Sequence, residues 1–128
     1  LIDEMVYFGK ILYFKDVMIP FKSDEEKIGY TKDQLAWALA NESSIWEFFV
    51  ERELLFETDQ KLAGRFINPA PFSKFNLELD AESPGRLGQY IGWQIVKAYM
   101  ENSDADLKDM LQMDATELFN KSKFKPRK

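Results

Sequence analysis

The sequence predicts an all-α fold, and three observations support the prediction. Apolar residues recur with a period close to 3.6 along almost the whole chain, and no strand-like alternation continues beyond a few residues. The composition is 45% hydrophobic and 15% aromatic, which is typical of a folded domain. The chain has 128 residues, enough for one domain with a substantial core. We therefore expect a single irregular multi-helix domain over residues 1–128, with about five to six helices and one long extended loop at about 66–82.

Local signals place the helices of the first half. The first helix stops before Pro20, and a polar loop with the acidic run 24–26 follows. Thr31 and Gln34 have the spacing of a capping box, which opens the next helix. Residues 41–44 either end that helix or lie within it. The predicted helices are Asp3–Met18, Thr31–Ala40, Ile45–Phe56 and a short one from Thr58 to Gly64.

The second half begins with a segment that contains prolines and several phenylalanines. Its composition over residues 66–82 indicates extended, irregular structure, and long ordered loops in compact domains are often functional. A helix follows, with Ser83 as its cap and Pro84 at the first helical position. Two short helices complete the chain, one capped by Asp104 or Asp106 and running through Met110, the other capped by Asp114 and running through Phe119.

The helix that follows Ser83 carries the most informative pattern. At about 100° per residue, one face collects Leu87, Gly88, Ile91, Gly92, Ile95, Ala98 and Tyr99. The opposite face collects Arg86, Tyr90, Trp93, Gln94, Lys97 and Glu101. Gly88 and Gly92 cost about 1 kcal/mol each relative to alanine, so we expect a neighbouring backbone to pack very close to them. Because two aromatic residues lie among the charges, this helix is either covered on both sides or lines a cleft.

The charged face of that helix is the main candidate for a binding site. Tyr90 and Trp93 lie there between Arg86 and Lys97, and aromatic rings beside a cation suit a peptide or sugar ligand. We therefore predict a binding site formed by Arg86, Gln89, Tyr90 and Trp93. The alternative is that another element of the domain covers the two rings.

Two weaker candidates precede the helix. Asp80 and Glu82 alternate with Glu78 along the loop, and such carboxylates suit a hard cation or a basic partner. The alternative is an extended segment with its polar side outward. The segment Ser83–Arg86 either forms an anion-binding helix entrance or reflects capping, with Arg86 paired to Asp80 or Glu82. We include Asp80 and Glu82 in the predicted site.

The composition excludes several classes of function. A net charge of −5 and a pI of about 4.8 argue against a nucleic-acid partner. The chain has neither Cys nor His, which removes disulfides, Ser-His-Asp and Cys-His catalysis, and every zinc motif that needs histidine. We expect no cofactor and no metal site. No apolar run reaches the ~18 residues that a membrane-spanning helix needs.

Five segments of the chain carry a resemblance to known proteins, namely Leu1–Lys10, Ile28–Trp37, Pro71–Phe75, Glu82–Tyr99 and Lys121–Pro126. They resemble the C-terminal half of the GldB family of gliding-motility lipoproteins of Bacteroidetes. The resemblance runs nearly end to end. It implies a cell-envelope lipoprotein that takes part in surface gliding, with a signal peptide, a lipid-bearing Cys and a further half-domain upstream.

The pattern is more distantly similar to a family of zincin-like zinc peptidases. Those enzymes carry His-Glu-x-x-His on one helix and Glu-Gly-x-Ala on a later one, and the resemblance implies that the two His and the second Glu hold zinc. If Gly9 matches the glycine of the later motif, the ligand position falls on Phe8, which cannot bind a metal. The family's Gly-Tyr-x-x-Gly motif also differs here, where Gln89 follows Gly88. This implies a degenerate peptidase-like scaffold.

These considerations predict a non-catalytic lipoprotein component of gliding motility, which acts by protein binding or structural support. Its expected partners are other envelope or gliding-machinery proteins, and it would face the periplasm and reach the membrane only through a lipid anchor outside this chain. Leu1 opens the chain in the middle of an apolar pattern. We therefore expect the C-terminal part of a larger protein, in which the exposed start of the first helix is able to pair with a second copy.

Two alternatives stay open at this point. The first is an active zinc metallopeptidase whose His-bearing motif lies in a missing N-terminal half, with Glu4 as its downstream carboxylate ligand. The second is a soluble regulatory helical domain with no link to the cell envelope.

Overall fold

The computed structural model describes residues 1–51, 55 and 86–126. This part of the chain contains seven helices and no strand, so the all-α prediction is confirmed. The helices are α1 (Ile2–Met18), α2 (Asp24–Ile28), α3 (Lys32–Ala40), α4 (Glu42–Glu51), α5 (Leu87–Glu101), α6 (Leu107–Gln112) and α7 (Ala115–Ser122). The predicted loop at 66–82 and the predicted short helix from Thr58 to Gly64 lie outside the described residues.

Helices α1 and α5 form the central pair, and two glycines allow their backbones to meet. A Cβ atom at Gly92 would overlap the carbonyl group of Met5, and a Cβ atom at Gly9 would overlap the carbonyl group of Gly92. The close backbone approach expected at Gly88 and Gly92 is therefore confirmed at Gly92, and α1 is the neighbour. The other helices pack around this pair and complete the core, whose most buried apolar side chains include Met5, Val6, Ile45, Phe49, Leu87, Ile91, Ile95, Met110 and Leu118.

Capping side chains begin three of the helices at the expected positions. Thr31 and Gln34 form the full capping box at α3, because each side chain bonds the other residue's backbone N–H, at 3.1 and 2.9 Å. Asp106 accepts from the N–H of Asp109 at 2.8 Å and so begins α6. Asp114 accepts from the N–H of Glu117 and begins α7. These caps are local, which is why the sequence locates them.

In the first half, the structure corrects one predicted boundary and settles another that the sequence left open. The acidic run 24–26 is not a loop, because Ser23 caps it and it forms the short helix α2. Three acidic residues in a first turn suit the helix dipole. Helix α3 ends at Asn41, so α3 and α4 are separate helices. The extra helix α2 also raises the number of helices above the expected five to six.

Helix α5 begins later than predicted. Its first residue is Leu87, and Arg86 stands before it with a left-handed backbone (φ 63°) and no side-chain cap. Ser83 and Pro84, the predicted cap and first residue, lie outside the described residues. The predicted apolar face is buried except for the half-buried Ala98, and Tyr90 and Trp93 on the opposite face are buried as well. At the level of Tyr90 and Trp93, α5 is therefore covered on both sides.

The start of α1 is not an exposed surface. Leu1, Ile2, Met5 and Val6 are all buried, so the expectation that they form an open apolar patch is wrong. The N–H of Ile2 donates to the carbonyl of Leu55 at 2.6 Å, which fixes the beginning of the helix. The exposed apolar residues of α1 lie on another face, further along the helix.

Candidate functional site

A groove of about 460 Å³ opens between α1, α2 and the first turn of α5. Three elements distant in sequence therefore meet at one place. The side chains that line it are Phe8, Ile11, Leu12, Lys15, Glu26, Lys27, Ile28, Arg86 and Gln89, together with the backbone of Gly29. Most of the apolar lining residues come from α1, with Ile28 from α2, and most of the charged residues come from α2 and the start of α5.

The wall formed by α2 depends on a glycine. Gly29 ends α2 in the left-handed region, with a φ of 83°, and its N–H donates to the carbonyl of Glu25 at 2.9 Å. Only glycine adopts this conformation without strain. A Cβ atom at this position would also collide with the guanidinium of Arg86. Gly29 therefore leaves room for the arginine that closes the groove.

Arg86 joins the two sides of the groove. Its Nη1 donates to the carbonyl of Ile28 at 2.8 Å and approaches the carbonyl of Gly29 at 3.5 Å. Its backbone takes the left-handed conformation just before α5 begins. Among the described residues, these contacts of the guanidinium all involve Nη1, and they hold the planar group in one orientation at the groove.

Among the described residues, the charged side chains that line the groove are three cations, Lys15, Lys27 and Arg86, and one carboxylate, Glu26, although the chain as a whole carries a net charge of −5. The charge of Lys27 is balanced by Asp16, at 2.8 Å. The ammonium of Lys15 donates to the carbonyl of Lys27 at 2.9 Å, which holds it at the groove. A positive groove on an acidic protein favours an anionic group in the ligand.

A polar network that is partly shielded from water adjoins this groove. Lys27 pairs with Asp16 at 2.8 Å, and the indole N–H of Trp93 donates to the other oxygen of that carboxylate at 2.7 Å. The ring of Trp93 also carries the ammonium of Lys97 above it, at 4.2 Å from the ring centroid. Asp16 thus connects α1, α2 and α5 below the cationic lining.

The second predicted aromatic residue also has a buried partner. The hydroxyl of Tyr90 donates to a carboxylate oxygen of Glu42 at 2.6 Å, and both residues are buried. The structure therefore places Tyr90 and Trp93 in the interior, whereas Arg86 and Gln89 line the groove. Asp80 and Glu82 lie outside the described residues.

Sequence analysis missed Lys15, Asp16, Lys27 and Glu42 as parts of this arrangement. The signal available in the sequence was weak, because Lys27 follows an acidic run that reads as a polar surface. Asp16 and Glu42 bond residues that are 77 and 48 positions away, and no local pattern predicts such pairings. Among the described residues, no cluster of three or more Asp, Glu, His or Cys side chains is arranged to hold a metal ion.

Tyr30 lies next to the groove and has a perturbed phenol. Burial raises the pKa of Tyr30 well above its usual value of 10.0, and the nearby charge of Arg86 opposes the shift. The folded state thus keeps this phenol protonated at a pH at which the unfolded chain ionises it. Its stabilising contribution is complete below pH 10 and is lost as the pH rises above that value.

We expect the free energy of unfolding to fall by roughly 1 kcal/mol for each pH unit above 10 on account of Tyr30. Urea unfolding from about pH 9 to about pH 11 measures the slope. The variant Tyr30→Phe should flatten it, and Tyr7→Phe, a change at an exposed tyrosine, should not. Lys10 contributes a slope of the opposite sign, because burial lowers its pKa and the free energy of unfolding therefore rises with pH on its account. An unchanged slope in Tyr30→Phe would show that the phenol is not shielded as described.

Comparison with known proteins gives one family. The family model of the gliding motility protein GldB matches residues 1–126 of the chain. Neither the curated proteins nor the solved structures yielded a match. No helix among the described residues combines the length and the apolar character that crossing a membrane requires. The match covers nearly the whole chain and agrees with the resemblance found in the sequence, so the chain belongs to the GldB family of gliding-motility lipoproteins of the cell envelope.

Proposed function

We propose that the chain serves gliding motility as a non-catalytic binding component, and that the groove between α1, α2 and α5 receives a segment of another envelope or gliding-machinery protein. The observation that carries this proposal is that Phe8, Arg86 and Gln89 line the same groove. Two residues of the predicted binding site are therefore brought together with the residue that the similarity to zinc peptidases places at a ligand position.

The described residues around this groove do not fit a zinc site. If Gly9 matches the glycine of the peptidase motif, the position of the carboxylate ligand falls on Phe8, whose ring packs edge-on against Tyr7 at 5.2 Å between centroids. The acidic lining residue Glu26 pairs with Lys22 at 3.5 Å. Aromatic rings and lysines are not ligands of zinc, which takes Cys, His, Asp or Glu. These features support a degenerate zincin-like scaffold that binds a partner without catalysis.

The chemistry of the lining defines the class of ligand. Phe8, Ile11 and Leu12 offer an apolar wall, and Arg86 and Lys15 offer cations that are already held in place by backbone carbonyls. A peptide segment with a carboxylate beside an apolar side chain would pack its apolar side chain on this wall and pair its carboxylate with these cations. Because the guanidinium is oriented before the ligand arrives, little side-chain entropy is lost on binding.

The test uses a pair of matched variants. Arg86 and Lys123 are both basic and both adopt a left-handed backbone, with φ of 63° and 55°. Glycine accepts this conformation, so Arg86→Gly removes the guanidinium with little backbone penalty, and Lys123→Gly is the control. We expect the affinity of the Arg86→Gly chain for its envelope partner to be at least ~tenfold lower than that of wild type. The Lys123→Gly chain should bind this partner with the wild-type affinity. Stoichiometric zinc together with peptide hydrolysis by the wild-type protein would contradict the proposal.

A further inference from the structure

Residues 121–128 form the most positively charged segment of the chain, and we call them the basic segment. They include five of the 17 basic residues of the chain and none of its 22 acidic residues. The rest of the chain therefore carries a net charge of −10, from 12 basic and 22 acidic residues. None of the described residues of the basic segment lines the groove of the proposed function. Its cations are Lys121, Lys123, Lys125, Arg127 and Lys128.

The described part of the basic segment is held against the protein by its alternate residues. The hydroxyl of Ser122 donates to the carbonyl of Phe119 at 2.7 Å and accepts from the N–H of Phe124 at 3.2 Å. The ring of Phe124 packs edge-on against Trp46, with 5.0 Å between the ring centroids. Ser122 is buried, and Phe124 and Pro126 are half-buried. The residues that alternate with them are exposed, and these are Lys121, Lys123 and Lys125.

Interactions within the protein account for only one of these three lysines. Lys121 lies in the last turn of α7 and pairs with Glu117 at 2.8 Å. Among the described residues, neither Lys123 nor Lys125 takes part in an ion pair. The backbone of Lys123 is left-handed, with a φ of 55°, and glycine adopts this conformation with less strain. Backbone geometry thus gives no reason for a lysine there, which leaves its charge for a group outside the chain.

We propose that the basic segment binds the surface of a membrane through the phosphate groups of anionic phospholipids. The chain belongs to a family of lipoproteins of the cell envelope, and a lipoprotein is held beside a bilayer by its lipid. Exposed lysines suit phosphate, because each binds it as a point charge and needs no preformed pocket. Each cation near an anionic surface raises the affinity about fivefold, so five together bring the dissociation constant to roughly the sub-millimolar range.

The distribution of charge also sets the orientation of the protein on the membrane. An anionic surface attracts the basic segment and repels the rest of the chain, whose net charge is negative. The basic segment therefore faces the bilayer, and the acidic body points away from it. The ring of Phe124 is packed on Trp46, so the contact rests on charge and not on an inserted side chain. A polybasic segment of this kind strengthens the attachment that a lipid chain provides.

Co-sedimentation of the 128-residue chain with lipid vesicles tests the proposal. One set of vesicles contains phosphatidylcholine alone, and a second set contains about one third phosphatidylglycerol, an anionic lipid. At low salt and millimolar lipid, we expect binding to the second set only. At ~1 M salt, where the Debye length is ~3 Å, the chain should be released. Equal binding to both sets, binding to neither, or binding that survives this salt would overturn the proposal.

A pair of double variants locates the surface that meets the lipid. Lys123→Gln with Lys125→Gln should lower the affinity for the anionic vesicles roughly 25-fold. Lys32→Gln with Lys108→Gln changes the net charge equally at two exposed lysines elsewhere, so its affinity should stay within about twofold of wild type. Equal losses in the two double variants would overturn the assignment to the basic segment. Circular dichroism of each variant verifies that the helical fold is retained.

The single variant Lys123→Gly has a smaller effect on this surface. It keeps four of the five cations, so its affinity for the anionic vesicles should fall only about fivefold. The lipid of the lipoprotein still holds it at the membrane. Lys123→Gly therefore remains a suitable control for the groove.

Discussion

Replacing Gly92 with alanine is expected to lower the free energy of unfolding by about 3 kcal/mol or more, the upper part of the range for overpacked cores. The added methyl group would overlap the backbone carbonyl of Met5, which is part of α1 and cannot rotate aside as a side chain can. The two central helices would have to separate. Alanine is the better helix former by about 1 kcal/mol, so the loss arises from packing alone.

Urea unfolding of Gly92→Ala beside Gln94→Ala measures this effect. Gln94 is on the same helix and is half-buried, and its replacement should change the free energy of unfolding by less than about 0.5 kcal/mol. Gly9→Ala should behave like Gly92→Ala, since its added methyl group would overlap the backbone carbonyl of Gly92 on the other helix. A Gly92→Ala chain as stable as wild type would mean that α1 and α5 do not approach as closely as described.

Replacing Trp93 with alanine is expected to cost about 3–5 kcal/mol, the range for truncating a large buried aromatic residue. Trp93 is fully buried, and its indole N–H donates to the carboxylate of Asp16. The same carboxylate forms a salt bridge with Lys27. The substitution therefore leaves a cavity and removes a donor from a carboxylate that is mostly shielded from water. Both effects act at the centre of the contact between α1, α2 and α5.

A conservative variant separates the two contributions. Trp93→Phe keeps much of the volume but loses the N–H donor, so it should cost about 1–2 kcal/mol, the part due to the hydrogen bond and the smaller ring. Thermal unfolding followed by circular dichroism gives both values. Equal losses in Trp93→Ala and Trp93→Phe would show that the hydrogen bond and not the packing dominates. Because Trp93 is buried, its loss reports on stability and not on contact with a ligand.

The helices that sequence analysis located correctly are those with local signals. The capping box of Thr31 and Gln34 and the caps Asp106 and Asp114 involve residues three positions apart, so the sequence contains the whole interaction. Gly92 was informative for a different reason. A glycine in the middle of a helix is unfavourable unless something needs the space, and here the backbone of Met5 needs it.

The parts that could not be predicted depend on distant partners. Tyr90 and Trp93 look exposed from helical periodicity alone, but the buried Glu42 and the partly buried Asp16 supply acceptors for their polar atoms. The left-handed backbone of Arg86 has no local signal, because non-glycine residues rarely adopt it. Its guanidinium is anchored on the carbonyl of Ile28, 58 positions away. The groove arises from these long-range contacts.

The speed of gliding in cells tests the central claim most directly. The native protein of a gliding bacterium is replaced by versions with Arg86→Gly or Lys123→Gly, and immunoblotting verifies that both reach the wild-type level. If the groove holds a partner of the gliding machinery, Arg86→Gly cells should lose most of their movement, and Lys123→Gly cells should move as wild type. Normal gliding of Arg86→Gly cells, at an equal level of protein, would contradict the account.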